Sequence, residues 1–226
     1  MLISGIKSKP VYSPLEADTR GRYHLMLAIG GAATALERVL AQLSAADPDG
    51  LARARVLFAP EAATTAATMP ATAASATAAS AIAASATATP DAPFGNWPQL
   101  DVRLYPDIPA LLAALRVLLD ESLMGTRLYV AAPESFIGRA VQLALEFNMN
   151  QDEIRAEALG SLARRVHCIH CRTTTEDVRT NIVECGGCGR WLLVRDHYSR
   201  RLAAYMGVMV DAESPGERPA VKEIFP

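Results

Sequence analysis

The sequence predicts an α/β fold: a five-stranded parallel sheet followed by a small β ribbon built on four cysteines. Short apolar runs alternate with amphipathic helical segments between residues 23 and 160. Strands joined by helices give parallel sheets with right-handed crossovers. All four cysteines then fall between positions 168 and 188, as two Cys-x-x-Cys pairs. Finally, composition shifts at about Gly160, from an acidic segment to one rich in arginine.

Taken in order, residues 1–22 are polar and irregular. HLMLAI (24–29) is a short apolar run stopped by Gly30-Gly31, which predicts a buried strand and a turn. Leu36, Val39, Leu40 and Leu43 share one face of a helix over 33–46. RVLFA (55–59) predicts the second strand and LDVRLY (100–105) the third. A helix over 108–123 follows, with Leu111, Leu112, Leu115, Leu118 and Leu119 inward. RLYVA (127–131) is the fourth strand, 136–148 the next helix, and 154–159 the fifth strand. Ligands in such sheets bind beyond the carboxyl ends of strands, at the switch point. Gly30-Gly31 and Ala131-Ala132-Pro133 stand at two such ends.

Residues 62–92 interrupt this rhythm. Ala, Thr and Ser supply 26 of the 31 residues, in a five-residue repeat that matches neither helix nor strand. There is almost nothing there to bury, so a disordered, exposed insertion is expected. Alanine accounts for 41 of the chain's 226 residues. The larger apolar residues still make up roughly a third, enough for a core. The segment 1–22 shows no secretory leader, and no long apolar run predicts a membrane span. A cytoplasmic, reducing location is the expectation, and clustered thiols there read as metal ligands before disulfides.

The metal module spans 161–210, with 211–226 as a tail. Its pattern is Cys168-x-x-Cys171, thirteen residues, Cys185-x-x-Cys188. Four thiolates on two tight turns complete one tetrahedral centre. Residues 172–184 are expected to form a β-hairpin between the pairs, and 191–194 a strand after them. Zinc and iron both accept four thiolates. The short spacer, and the absence of a glycine after Cys171, look more like a structural zinc ribbon than a rubredoxin iron site. His167, His170 and His197 read as surface groups or supports around a shell that is already complete. DHYSRR (196–201) holds an acid, a base and a hydroxyl. Neighbours in sequence point in different directions, so a solvated or partner-binding face, with arginine as an interface anchor, is expected over a catalytic triad.

Two resemblances attach to these residues. HLMLAIGG (24–31), RLYVAAP (127–133) and IRAE (154–157) are similar to the pyridine-nucleotide domain of ferredoxin reductase-type flavoproteins. That likeness implies a cofactor site at Gly30, Gly31, Ala131 and Pro133. Ala131 and Ala132 replace the Cys-Gly pair of that family, and only about 22 residues precede the domain, too few for a flavin-binding barrel. A degenerate, vestigial nucleotide site is implied. More specifically, residues 194–208, 210–213 and 215–217 resemble the small, ribbon-bearing subunit of bacterial dimethylamine monooxygenase. This resemblance implies a multi-subunit, NADPH- and O2-dependent enzyme that N-demethylates dimethylamine to methylamine and formaldehyde. Haem, flavin and an iron–sulfur cluster would then lie on partner subunits, a haem-containing oxygenase and a reductase.

The expected function is therefore an accessory, non-catalytic subunit supporting assembly or electron delivery. Two alternatives stay open: a mononuclear iron electron carrier and a nucleic-acid-binding ribbon protein. The last is disfavoured by charge. Residues 1–160 carry 12 basic and 16 acidic groups, and in 161–205 eight arginines are interspersed with four acids.

Overall fold

A computed structural model describes residues 8–61, 84–85 and 93–226. Contacts divide the chain into two compact units, one of residues 12–132 and 143–160 and one of residues 1–11, 133–142 and 161–226.

The elements of the first unit are β1 (Tyr23–Ile29), α1 (Ala33–Ala46), a one-turn α2 (Pro48–Leu51), β2 (Ala54–Ala59), a two-residue β3 (Ala84–Ser85), β4 (Asp101–Leu104), α3 (Ile108–Asp120), β5 (Thr126–Ala132), α4 (Glu134–Glu146), which continues from one unit into the other, and β6 (Ile154–Ala158). The five expected strands are all present and all parallel, in the order β4-β2-β1-β5-β6. β3 adds an antiparallel pairing at the β4 edge, with Ala84 opposite Leu104. It falls inside the expected insertion, and the remainder of that insertion (62–83 and 86–92) lies outside the described residues.

β1 and β5 are near-continuous apolar runs because both faces of a parallel sheet are covered. Met26, Ala28, Val56, Phe58, Tyr129 and Ala131 pack against Leu36, Val39, Leu40 and Leu43 of α1. The Asp107 carboxylate accepts from Ala110 N–H at 2.7 Å and starts α3, with Pro109 in its first turn. α3 ends at Asp120, three residues before the expected end, and the chain reverses at Gly125 with φ +87°.

Residues 12–22 form no helix or strand, as expected, yet they are anchored. Leu15 is 2% exposed within the α1 core. Asp18 N–H donates to the Tyr129 hydroxyl at 2.9 Å. The Asp18 carboxylate meets Arg20, Arg127 and Arg155, its side chain only 3% exposed. These guanidiniums, Arg20 foremost, hold its carboxyl well below the usual carboxylate range.

The second unit adds β7 (Arg164–Cys168), β8 (Thr174–Val178), β9 (Ile182–Glu184), β10 (Trp191–Ser199) and β11 (Ala204–Met209), in the order β8-β7-β11-β10-β9. The hairpin expected over 172–184 does not form. β8 and β9 lie at opposite edges of the sheet. Each Cys-x-x-Cys turn reverses the chain, so β8 pairs back on β7 and β9 pairs with β10, while β11 enters between the two hairpins.

β10 carries a bulge between Val194 and Tyr198. Ser8 satisfies the backbone there: its N–H donates to Asp196 O, and its hydroxyl accepts from Tyr198 N–H at 2.9 Å. The 211–226 tail has no regular strand but is docked. Thr180 bridges Glu223, and Phe225 is buried. Arg164, 5% exposed, is sandwiched between the Tyr205 and Phe225 rings at 3.9 and 3.8 Å and paired with Asp196 at 2.8 Å. From the start of α4, Glu134 accepts from the Tyr205 hydroxyl at 2.7 Å, and Gln142 donates to Arg201 O. Among the described residues no helix is long and apolar enough to cross a membrane.

Candidate metal centre and the switch-point turn

β7 delivers Cys168 and the turn after it Cys171; β9 leads into Cys185 and the next turn presents Cys188. The two turns are near copies of each other. Arg172 N–H donates to Cys168 O and Gly189 N–H to Cys185 O, both at 2.9 Å. Cys168 N–H donates to Thr173 O, and Cys185 N–H to Arg190 O. The residue after each pair is left-handed, Arg172 at φ +65° and Gly189 at φ +68°. Glycine takes that conformation freely, whereas Arg172 is strained in it.

The four sulfurs lie within 4.8 Å of one another. Cys168 and Cys188 are 3.9 Å apart and Cys171 and Cys185 3.5 Å. A tetrahedral zinc site with bonds of about 2.3 Å needs sulfurs about 3.8 Å apart. The donor set therefore fits one four-coordinate ion and leaves no vertex open. Cys168 and Cys185 are buried, Cys171 and Cys188 partly exposed. The Thr173 hydroxyl and backbone draw the Cys171 thiol down to about 6, and the Arg190 backbone lowers Cys188. Burial pushes Cys185 up to about 11, and a bound cation would offset that cost.

Gly187, one of the glycines expected to permit the turn geometry, and Thr173, which the sequence reading missed, fit the two turns together. A β-carbon at Gly187 would strike Thr173 Oγ1, so this glycine lets the turns close on each other. Thr173 shows no motif; its only signal is that it occupies the place in the first turn that Arg190 occupies in the second. His170 is exposed and its Nδ1 lies 3.1 Å from Arg190 Nη1, outside the four-thiol cluster. Residues 196–201 disperse. Asp196 goes to Arg164, Tyr198 is buried against Tyr205, and His197 lines a groove.

Gly30, Gly31 and Ala131 meet at the switch point, where β1 and β5 are neighbours and Ala28 pairs with Ala131. Pro133 follows β5 and opens α4 through bonds from Phe136 and Ile137 N–H. Gly30 is left-handed at φ +54°, and a β-carbon there would meet Glu61 Cβ at 2.8 Å. Ala131 and Ala132 are fully buried. Glu157 on β6 accepts from Leu15 N–H at 2.6 Å and from Arg38. The switch point is thus lined by packed alanines and bordered by two acidic residues, Glu61 and Glu157.

Fold and site together define an α/β unit joined to a four-cysteine ribbon. Residues 4–92 and 96–154 match the model of the dimethylamine monooxygenase subunit DmmA-like N-terminal domain, and residues 165–208 match its C-terminal domain. The chain belongs to the dimethylamine monooxygenase subunit DmmA-like family. It is similar to the haem-dependent oxidative N-demethylase delta subunit of Ectopseudomonas mendocina (strain ymp), 33% identical over 111 residues, which cover 49% of this chain. The match spans 63% of that relative's length.

Proposed function

We propose that this chain is a non-catalytic subunit of a haem-dependent oxidative N-demethylase acting on a small methylated amine such as dimethylamine in the cytoplasm. A haem-containing oxygenase subunit and a flavin/iron–sulfur reductase would be its partners. Support comes from the family match and from the delta-subunit relative. The observation that carries the role is the closed four-thiol cluster. Four protein ligands complete a zinc tetrahedron, so the ion would fix the ribbon and take no substrate. Cys168, Cys171, Cys185 and Cys188 would hold it. Gly30, Gly31, Ala131 and Pro133 would be the vestige of a nucleotide site.

Native mass spectrometry of the chain co-expressed with both partners tests this reading. One zinc per chain in a complex with both is expected. NADPH oxidation by the isolated chain at a substantial rate would sink it. The partial exposure of Cys171 and Cys188 keeps one competitor in play, a mononuclear iron carrier exposed at one edge. Metal analysis and a visible spectrum separate the two, since a four-thiolate ferric centre is coloured and zinc is not.

A further inference from the structure

The sheet of the second unit buries one face around Val166, Leu192, Val194, Tyr198 and Tyr205. Its other face carries a groove of about 570 Å³. His167 and Met206 are cross-strand partners in its floor, and His197 lines it from β10. Ile169, 54% exposed, stands at the end near the first cysteine turn. Arg172 and Arg201 rim it.

Charge in this groove is one-sided. None of its lining residues is acidic. Three of the four acids in 161–205 are engaged by arginines outside it: Glu176 by Arg165, Asp177 by Arg179 and Asp196 by Arg164. Among the described residues, Arg172 and Arg201 have no ion-pair partner for their guanidiniums, and Arg201 is exposed. The floor supplies methionine, isoleucine and alanine, and methionine adapts to varied apolar side chains. Unpaired arginines around an apolar floor are the usual anchors of a protein interface.

We infer that this groove is a docking surface for an acidic segment of a partner protein, one bearing alternate apolar side chains. The inference rests on the subunit reading above and names the surface through which it would act. Arg172 and Arg201 would take the carboxylates, and Met206 and Ile169 would cover the apolar side chains.

The test has two arms, both with the zinc-loaded full chain. The first uses a fluorescein-labelled peptide of roughly a dozen residues alternating Glu with Leu, a matching Lys/Leu peptide and an RNA oligonucleotide. Binding of the Glu/Leu peptide is expected, weakened about tenfold or more by Arg201→Glu and by Met206→Asp, and falling with salt. Equal affinity for the Lys/Leu peptide, unchanged binding by both variants, or preferential RNA binding at this face would overturn the inference. So would sedimentation showing that the groove closes a dimer of this chain.

The second arm co-expresses each variant with the haem and reductase subunits. Loss of assembly by Arg201→Glu, with zinc content and thermal unfolding unchanged, supports the surface. Assembly that ignores Arg201→Glu and Met206→Asp removes the surface and leaves the subunit reading standing. Peptide binding with no assembly by the wild-type chain does the reverse.

Discussion

The phenolic oxygen of Tyr198 occupies the space that a β-carbon on Gly138 would need. Glu134, Gly138 and Gln142 lie four residues apart on α4, and all three meet the β10–β11 hairpin. The glycine lets the tyrosine reach across the helix, and Tyr198 stacks edge-on against Tyr205 with centroids 5.1 Å apart. Burial pushes the Tyr198 hydroxyl up to about 12, so it stays a neutral phenol.

Gly138→Ala should therefore destabilise the protein although alanine is the better helix former. The intrinsic gain of about 1 kcal/mol is outweighed by overpacking, for a net loss of about 1–3 kcal/mol. Removing the hydroxyl with Tyr198→Phe should recover part of it in the double variant. Urea unfolding of the four-member cycle measures the coupling, and simple additivity would refute the contact.

The two cysteine turns differ at the left-handed residue, Arg172 in one and Gly189 in the other. Arg172→Gly should raise the stability of the zinc-loaded protein by about 1 kcal/mol, and Gly189→Ala should lower it by a similar amount. Thermal unfolding at saturating zinc reads both. Opposite signs are the expected outcome, and a loss in both would mean that the arginine side chain matters more than its backbone.

Chelation should affect the units unequally. A structural ion contributes folding free energy directly to the elements it ties together. Hydrogen exchange after metal removal, or in Cys185→Ser, should speed up in β7, β9 and β10 while β1 and β5 stay protected. Persistent protection of the ribbon would contradict a structural metal.

Asp18 supplies a pH dependence with a definite sign. Its carboxyl is held below its unfolded value by Arg20, Arg155 and Arg127. The contribution is complete above the unfolded value of about 4 and is lost as pH falls toward the folded one. Asp18→Asn should cost about 3 kcal/mol at neutral pH, since it leaves Arg127 and Arg155 without their buried partner. The gap to wild type should be flat above about pH 5 and close below about pH 4. Equilibrium unfolding across pH measures it; a gap that widened in acid would reverse the assignment.

The parallel strands and helices were legible because each is written in a local period. Leu36, Val39, Leu40 and Leu43 identify α1 without reference to anything else, and all four are fully buried. The clustering of the four thiols was legible for the same reason: Cys-x-x-Cys puts both sulfurs on one short turn. The anchoring of residues 12–22 was not legible. Asp18 is an ordinary polar residue until Arg127 and Arg155, over a hundred positions away, surround it.

By itself the sequence determined the alternation of strands and helices, the cluster of four thiols and the boundary between acidic and basic segments. Local spacing encodes all of these. Only the tertiary structure decided that β8 and β9 part to opposite edges, that Ser8 fills the β10 bulge, and that His167, His197 and Arg201 border one groove. Those arrangements depend on which distant surfaces bury each other, and local spacing carries no information about that choice.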